Sequence, residues 1–349
     1  MKILHSGASY KRAQSMKTTD LSNLYIACLG GFLILLFGTL FFVVTARAGS
    51  GGTPVDAPQR LFPAPEQAAQ ALTEAAKAQD QATLAAIFGG NYQRLLSGDE
   101  TQDHRELELF ADAMNKSAIL QKSGPDKYTL TIGGDNWPFP IPIVKQGDLW
   151  RFDTSAGMEE ILNRRIGENE LSAIATCRAY VLAQWEYFTE GDHDNDGVAE
   201  YAQHLISAPG KKDGLYWDTA EGETPSPMGE LVAAARAEGY RVGRDGSTAH
   251  EANQAAPHRN PYHGYYFRIL KRQGVHAPGG KYVYVINGNM IAGYALIAYP
   301  DKWGSSGVMT FIVNQQGRVY EKNLGPNTLK VAEAITEYDP DPSWAPVKE

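Results

Sequence analysis

The strongest helical signal in the chain is the stretch Leu171-Ser-Ala-Ile-Ala-Thr-Cys-Arg-Ala-Tyr-Val-Leu-Ala-Gln-Trp-Glu-Tyr-Phe188. Its apolar residues recur at helical spacing, at Ile174, Cys177, Val181, Trp185 and Phe188. This pattern predicts a long helix with one buried face. Cys177 lies on that face, so we interpret it as a buried, unreactive thiol.

The chain beyond this helix is rich in strand patterns. Strands are predicted at 265–270, 282–286, 291–299, 308–313 and 319–322. A turn at Asn314-Gln-Gln-Gly317 is expected to join the last two. Short helices are expected at 201–206 and 229–237, and an irregular loop at 250–261. The later part, residues 167–349, is therefore predicted to be a domain in which a long helix packs on an antiparallel sheet.

The earlier part, residues 62–166, shows helical patterns before strand patterns. Helices are predicted at 68–76, at 80–88 with Asp80 as the N-cap, and at 107–114. Strands are predicted at 118–121, 128–132, 141–145 and 150–153. Helices followed by an antiparallel sheet indicate an α+β class with a cone-like arrangement, and the element order resembles that of the nuclear-transport-factor-like fold. The charged run 163–170 is interpreted as the joint between the two domains.

The first 48 residues carry an export signal. An apolar run at 25–44 follows a basic segment and precedes Ala46-Arg47-Ala48, which has the small-x-small pattern of a cleavage site. A cleaved signal peptide and an uncleaved signal anchor both fit, and in either case the remainder of the chain faces away from the cytoplasm. Residues 49–61 are predicted to be a flexible linker. The only expected contact with a membrane is through this N-terminal segment.

The charge balance argues against a nucleic-acid partner. The chain has 32 basic and 40 acidic residues. Removal of residues 1–48 takes away five basic residues and one acidic residue, so 27 basic and 39 acidic residues remain, a formal charge of −12. A nucleic-acid or anionic-membrane partner would require a basic face. The only cysteine left is Cys177, so no internal disulfide is expected.

The most distinctive loop is Asp192-His-Asp-Asn-Asp-Gly-Val-Ala-Glu-Tyr201. Carboxylates at alternate positions followed by a glycine are typical of the first half of a calcium loop. The predicted calcium ligands are Asp192, Asp194, Asp196, the Val198 carbonyl and Glu200. Gln203 stands at the twelfth position, where a bidentate Glu is usual, so a complete helix-loop-helix hand is not predicted. The alternative is a solvated acidic loop between two elements.

The segment Trp137-Pro-Phe-Pro-Ile-Pro142 is unusual because its alternating prolines force an extended backbone with few hydrogen-bond donors. It is interpreted either as a rigid strap over a sheet edge or as the aromatic rim of a ligand site. The residues of such a rim would be Trp137, Phe139 and His263. No pattern for nucleophilic or zinc chemistry stands out, and His263 is the best single candidate for acid–base work.

A family resemblance rests on several motifs that occur in order. They are the segment 137–142, Trp150-Arg-Phe-Asp153, Glu159–Gly167, Tyr262-His-Gly-Tyr-Tyr-Phe267 and Gly307-Val-Met-Thr-Phe311. Together they resemble the domain-of-unknown-function family 2950, over about 62–347. The resemblance implies exported proteins of the Gram-negative cell envelope, located in the periplasm or anchored in the inner membrane and facing the periplasm. It supplies no catalytic residues that could be assigned to this chain.

A second resemblance concerns the later half. The long helix, the loop after it, a Gly-Tyr-x-Phe strand and a terminal hairpin ending at Gly317-Arg-Val319 are similar in order to the globular part of pilins and pseudopilins. In those proteins a calcium loop can brace the sheet. A true pilin has its membrane helix directly before this helix, whereas here an entire predicted domain intervenes.

These observations favour a non-enzymatic binding or scaffold protein of the cell envelope with a structural calcium loop. Its partner would be an envelope protein or a peptide. Two alternatives are an envelope hydrolase with a site between the two halves, near His263 and Trp137, and a pseudopilin-like assembly subunit.

Overall fold

The computed structural model describes residues 58–193, 196–220, 222–240 and 261–348. They all belong to one compact unit, Val55–Glu349. The predicted signal segment and most of the predicted linker lie outside the described residues. Within those residues, no helix has the length and apolar composition needed to cross a membrane.

The first hydrophobic core lies between four helices and an antiparallel sheet. The helices are α1 (Pro65–Lys77), α2 (Gln81–Phe88), α3 (Tyr92–Leu95) and α4 (Glu100–Lys116). The strands are β1 (Ala118–Gly124), β2 (Lys127–Ile132), β3 (Trp137–Pro138), β4 (Ile143–Gln146) and β5 (Leu149–Phe152), in the order β1-β2-β4-β5 with β3 also on β2. The predicted helices and strands of this half are all present.

Local signals explain where these helices begin. Asp80 is the N-cap of α2, and its carboxylate accepts hydrogen bonds from the backbone N–H groups of Ala82 and Thr83. Asp99 caps α4 in the same way. Pro65 opens α1, where its missing N–H costs nothing.

The proline segment crosses the edge of the first sheet as a strap. Trp137 and Pro138 pair with β2, and the backbone N–H of Phe139 donates to the carbonyl of Leu130 at 2.7 Å before the chain continues to β4. Phe139 and Ile141 point into the first core. A side-chain carbon on Gly157 would lie 2.6 Å from the carbonyl carbon and oxygen of Pro140, so the strap and the following helix are in close contact.

One helix, α5 (Thr154–Glu190), runs through both halves of the protein. The predicted joint at 163–170 is therefore helical, because the charged side chains of this run are compatible with a helix and neighbouring elements pack around it. The first core ends along the chain at Ile161, and the buried cluster of the second core begins at Ala173. The predicted boundary thus falls between two cores but inside a continuous helix.

The buried face of α5 in the second half differs from the predicted one. It consists of Ala173, Thr176, Cys177, Tyr180, Ala183, Gln184 and Tyr187. Of the predicted face only Cys177 is fully buried, whereas Trp185 is 41% exposed. The tyrosines and Gln184 are buried because their polar atoms find partners: Gln184, for example, exchanges two hydrogen bonds of 2.8 Å with the backbone of Ala202.

The second core lies between α5 and an antiparallel sheet, as predicted. Its strands are β8 (Tyr265–Leu270), β13 (Ala295–Pro300), β14 (Met309–Asn314), β15 (Tyr320–Asn323) and β16 (Ala345–Pro346), in the order β16-β15-β14-β13-β8. The hydroxyl of Tyr180 donates to the carbonyl of Ala295 at 3.2 Å and joins helix to sheet. The predicted turn is confirmed by the hydrogen bond from Gly317 N to Asn314 O.

Smaller elements complete this half. They are β6 (His204–Ile206), β7 (Gly214–Tyr216), α6 (Gly229–Ala237), β9 (Arg272–Gln273), β10 (Tyr282–Val283), β11 (Val285–Ile286), β12 (Asn289–Met290) and α7 (Thr328–Ala334). The predicted helix at 201–206 is wrong, because His204 and Ile206 pair in parallel with Gly214 and Tyr216. The helix at 229–237 is confirmed. The protein is of the α+β class.

Candidate functional site

A group of nine interacting polar side chains lies where the two halves meet. The N-terminal end of α4, the middle of α5, the end of the α6 segment and the start of β8 all contribute to it. We call it the junction cluster, and its members are Asp99, Gln102, Arg105, Glu106, Arg165, Asn169, Glu238, Tyr240 and His263.

Asp99 links the two halves through a buried hydrogen bond. The hydroxyl of Tyr240 donates to its carboxylate at 2.9 Å, and the backbone N–H of His263 donates to the Tyr240 hydroxyl at 3.2 Å. Burial raises the pKa of Asp99, although hydrogen bonds from Gln102 N, Tyr240 and Gly264 N oppose the rise. Burial also raises the pKa of Tyr240, and the charge of Asp99 adds to this effect.

A pair of salt bridges that share one carboxylate lies beside this hydrogen bond. Glu238 places one carboxylate oxygen 2.9 Å from Nε2 of His263 and 2.9 Å from Nη1 of Arg105. Burial opposes ionisation of Glu238, but the hydrogen bond and charge of His263 and the charge of Arg105 outweigh it, so the pKa of Glu238 is lowered. The shared carboxylate joins α4 to the start of β8.

The backbone at His263 is unusual. Its φ is 46°, a left-handed conformation that is uncommon for a residue with a side chain. At the next position, a carbon on Gly264 would lie 2.7 Å from Cβ of Ser306 and 2.8 Å from Nδ2 of Asn169. The tight turn therefore brings the chain against α5 and fixes the position of the imidazole.

A row of amides continues the junction cluster into the protein interior. Gln102 Nε2 donates to Asn169 Oδ1 at 2.9 Å, and Asn169 Nδ2 donates to the carbonyl of Ser306 at 2.9 Å. Gln102 Nε2 also donates to Glu106 at 2.7 Å. Gln102 and Asn169 are both buried, so their hydrogen bonds are needed to offset the loss of water.

Arg165 closes the cluster on the side of the first core. It is only 4% exposed, and its Nη2 donates to the carbonyl of Leu95 and lies 3.4 Å from Glu106. Its Nε and Nη1 have no hydrogen-bond partner among the described residues. Arg165 therefore links its helix α5 to Leu95 and to Glu106 of α4. Removal of Glu106 would leave a buried positive charge without its carboxylate partner, which is costly.

The structure brings two residues of the predicted ligand rim together, since the ring centres of Trp137 and Phe139 lie 6.3 Å apart. Phe139 is 7% exposed and belongs to the first core. Trp137 is half-buried beneath Arg164, whose guanidinium carbon lies 4.8 Å from the centre of the indole ring. Pro138, Pro140 and Pro142 line a surface groove with Arg164 and Glu160. Phe139 belongs to the first core and also lines this groove, whereas His263 belongs to the junction cluster. A ligand rim at Trp137 and Phe139 stays a prediction.

The acidic loop is organised by its own hydrogen bonds. The two carboxylate oxygens of Asp192 accept from the backbone N–H groups of Asp196 and Gly197, at 3.2 and 2.7 Å. Asp196 accepts from Val198 N at 2.8 Å and from Asn289 Nδ2 at 2.5 Å. Glu200 is buried and accepts from Met290 N at 3.0 Å.

Of the predicted calcium ligands, Asp194 lies outside the described residues. Among the residues that are described, no three His, Cys, Asp or Glu side chains are grouped as a metal site. The oxygen-rich donor set suits calcium, but Asp192, Asp196 and Glu200 each accept hydrogen bonds from the protein in this conformation. Calcium binding stays a prediction.

Cys177 is a buried thiol, as the helical pattern predicts. Burial raises its pKa to about 12, so the reactive thiolate is disfavoured. Sequence patterns did not indicate Glu238, Tyr240, Arg105 or Gln102, because these residues come from separate elements and meet only in the fold. The one local signal was at Asp99, which stands before Glu100 and Thr101 as an N-cap should.

Fold and site together define an α+β protein in which two hydrophobic cores share one long helix and meet at a polar cluster. The chain belongs to the family described as protein of unknown function (DUF2950), whose model matches residues 59–347. No curated protein matches the chain, and no solved structure matches it either. The resemblance of the later half to pilins stays a prediction.

Proposed function

We propose that this protein is an exported binding or scaffold component of the bacterial cell envelope. The observation that carries the proposal is that the ionisable side chains of the junction cluster bind one another across elements of the fold. Asp99, Glu238 and His263 are each engaged with a residue from another element, and the contacts cross from one half to the other. Such contacts hold two cores in a fixed relative position, which suits a protein that presents a rigid surface.

Export and envelope location are supported by the apolar run 25–44, by the cleavage pattern after it and by the acidic character of the remainder. The partner would be an envelope protein or a peptide. Fractionation of cells that produce the full chain, with protease added to spheroplasts, tests the location. Protection of the protein inside intact spheroplasts would contradict export.

One test separates a binding role from catalysis. It compares the turnover of peptidoglycan, ester and peptide substrates by His263→Gln and by the unaltered full chain. Glutamine keeps one polar contact to Glu238 but cannot act as a general base. We expect no turnover that depends on His263, and a lower melting temperature in the variant. Turnover that His263→Gln abolishes, with the fold intact by circular dichroism, would overturn the proposal.

A second candidate function, an envelope hydrolase, is favoured by one observation. Nε2 of His263 lies 2.9 Å from a carboxylate oxygen of Glu238, and a carboxylate that orients an imidazole is a common arrangement in general-base catalysis. The ring is not completely buried, since the side chain of His263 retains some exposure. Turnover lost in His263→Gln and also in Glu238→Gln would support this function.

A further inference from the structure

The strap, residues 137–142, and the start of α5 border a groove on the surface of the first half. Its volume is about 310 Å³, at the lower end of the roughly 300–1,000 Å³ that small-ligand pockets occupy. The walls come from three elements. They are Pro138, Phe139, Pro140 and Pro142 of the strap, Lys127 and Thr129 of β2, and Ala156, Glu160 and Arg164 of α5.

The strap wall of the groove is apolar and offers few hydrogen-bond donors. Proline has no backbone N–H, and the N–H of Phe139, between two of the prolines, already donates to the carbonyl of Leu130 at 2.7 Å. Pro138 is exposed and Pro140 is half-buried, so their rings are open to contact. This wall can pack against an apolar side chain, whereas recognition of a polar group has to come from β2 and α5.

Arg164 is fixed on the α5 wall by two contacts. Its Nε and Nη2 lie 2.7 and 2.6 Å from the same carboxylate oxygen of Glu160, and its guanidinium carbon lies 4.8 Å from the centre of the Trp137 ring. The ion pair and the cation–π contact together orient the guanidinium. Its third nitrogen, Nη1, is shielded from solvent and has no hydrogen-bond partner among the described residues.

A second donor without an acceptor lies in the residue beneath Arg164. Nε1 of Trp137 is also shielded from solvent and unpaired within the described part of the chain. The Trp137 ring contacts Phe139, one of the groove residues, with ring centres 6.3 Å apart. Donors that have lost water without gaining an acceptor are uncommon in native proteins. Two of them in touching side chains beside a groove point to an acceptor from outside the chain.

The groove is positively charged although the protein is acidic. Lys127 is exposed, and its ammonium group has no ion pair or cation–π contact among the residues that the structure describes. With Arg164 it gives two positive charges against the one negative charge of Glu160, whereas the whole chain has a formal charge of −8. One oxygen of Glu160 is already paired with Arg164. Charge complementarity therefore favours an anion at this groove.

We propose that the groove binds the free C-terminal end of a peptide. The terminal carboxylate accepts from Arg164 and Trp137 and lies near the charge of Lys127, and the last apolar side chains pack on Pro138 and Pro140. A carboxylate has two oxygens, so it can satisfy both unpaired donors. The Arg164 side chain is 35% exposed, so a small shift of the guanidinium lets the carboxylate reach both.

A chain end fits the groove better than an acidic side chain within a longer peptide. A longer peptide has to leave the groove at both ends, whereas a volume of about 310 Å³ holds only a short segment. The inference deepens the proposed binding role by naming its ligand class, and it rests on that role.

The first test follows the indole N–H signals of the isotope-labelled full chain in detergent by NMR. The probe is N-acetyl-Ala-Leu-Ala with a free C-terminal carboxylate, and the same peptide with a C-terminal amide is its control. We expect the acid to shift the Trp137 signal, identified from its loss in Trp137→Phe, in a saturable manner and the amide to leave it in place. The Trp303 indole, which already donates to Asn323 at 2.9 Å, should not move with either. Equal shifts with acid and amide, or no shift with either, would overturn the proposal.

Two further probes distinguish the sources of an anion. N-acetyl-Ala-Glu-Ala amide carries its only carboxylate on a side chain, and inorganic phosphate is an anion without a peptide. Each should bind at least about tenfold more weakly than the free acid, the loss expected when one charge-assisted contact is missing. Equal affinity for either probe would overturn recognition of a peptide end.

Variants of the two cations form the second test. Lys127→Gln and Arg164→Gln should each raise the dissociation constant of the acid peptide at least about tenfold, because the carboxylate loses a charged partner. Lys122→Gln is the matched control, since Lys122 is also an exposed lysine, on the neighbouring strand β1, and is not one of the groove residues. Lys127 has no ion pair to lose among the described residues, so we expect the melting temperature of Lys127→Gln to stay unchanged. Equal effects on binding at Lys122 and Lys127 would contradict the site.

These measurements can fail separately from the proposed function. Turnover that depends on His263 would overturn the binding role, whatever peptide the groove holds. A groove that binds no carboxylate, in a protein without such turnover, would overturn this site and leave the binding role to another surface.

Discussion

At the scale of single residues, stability depends on a few contacts that cross from one half of the molecule to the other. The Tyr240 hydroxyl and the Asp99 carboxylate are 141 positions apart in the chain and 2.9 Å apart in the fold. Asp99 is buried, so water cannot replace a lost hydrogen bond there.

Tyr240→Phe should therefore destabilise the protein by about 2 kcal/mol, the range expected when a charged acceptor loses a buried donor. Tyr216→Phe is the matched control, since Tyr216 also donates to an aspartate, Asp218, which is exposed and lies two positions away. We expect that variant to lose less than about 1 kcal/mol. Urea unfolding curves of the two variants measure the difference, and equal losses would show that the bond to Asp99 has no special weight.

The raised pKa of Asp99 predicts the direction in which the free energy of unfolding changes with pH. Folding favours its protonated form, so its contribution to stability is fully present below its ordinary value of 3.8 and is lost as the pH rises through the raised folded value. The free energy of unfolding of the wild type minus that of Asp99→Asn should fall as the pH rises from 3.8. Asparagine keeps the helix cap and accepts from Tyr240, so only the titration is removed. A difference that is constant or rises over this interval, in urea unfolding series, would contradict the burial of this carboxyl.

At the scale of elements, α5 has two glycines with opposite environments. A side-chain carbon at Gly157 would lie 2.6 Å from the backbone of Pro140, whereas nothing lies within 4 Å of the same position at Gly167. The two residues have the same helical conformation. They allow helix propensity and steric contact to be measured separately.

Gly167→Ala should stabilise the protein by about 0.5–1 kcal/mol, because alanine loses less backbone entropy in a helix. Gly157→Ala should instead destabilise it by about 1–3 kcal/mol, because the methyl group pushes the helix away from the strap. Thermal unfolding of both variants gives the comparison. Stabilisation at both positions would mean that the strap yields easily.

The acidic loop is the second element with a testable property. We expect the loop to bind calcium with a dissociation constant of about 10⁻⁴–10⁻³ M. A free calcium concentration about a hundred times this constant would stabilise the fold by about 2.7 kcal/mol. This corresponds to a rise in melting temperature of roughly 5–10 °C. Magnesium should have little effect, and Asp194→Asn and Asp196→Asn should weaken the response. A calcium concentration of about 10 mM is about ten times the upper limit of that range. An unchanged melting temperature at this concentration would show that the loop does not bind calcium and that Asp192 and Asp196 only stabilise an acidic turn.

Sequence patterns predicted the local elements of this fold much better than the side of α5 that is buried. The alternation of Tyr128, Leu130 and Ile132 with threonines in β2, the short apolar run of β14 and the cap at Asp80 depend on neighbouring residues, so they are visible in the sequence. The buried side of α5 instead includes Gln184, a polar residue whose burial depends on the backbone of Ala202. A prediction from hydropathy places the apolar Trp185 in the core and the polar Gln184 at the surface, whereas the structure has the reverse. His263 was singled out in the sequence, but its partners in the junction cluster were not, since residues such as Asp99 and Tyr240 meet only through tertiary structure.

At the scale of the whole molecule, α5 and the junction cluster join the two cores. The helix offers no flexible segment at 163–170, and Arg165 and Asn169 in this stretch are buried. The two cores are nevertheless separate hydrophobic clusters. Whether they behave as two domains, with a boundary at 166, depends on how strongly the shared helix couples their unfolding.

We expect the wild type to unfold in one transition and to resist limited proteolysis at 163–170. Gly167→Pro should cost about 3 kcal/mol or more, because proline removes a hydrogen bond in the helix interior, and should divide the melt into two transitions. Gly167→Ala is the control that keeps the helix. Two transitions already in the wild type, measured by calorimetry, would show that the halves are independent domains.

The shared helix also sets an order of events while the chain is being made. The helix is complete at Glu190, but Ala295, which receives the hydrogen bond of Tyr180, is synthesised 105 residues later. At ordinary rates of translation this interval is roughly 5–20 s. During that time the tyrosine-lined side of α5 has no sheet to cover it. The nascent chain is therefore most exposed to aggregation, and most attractive to a chaperone, after its first core is already complete.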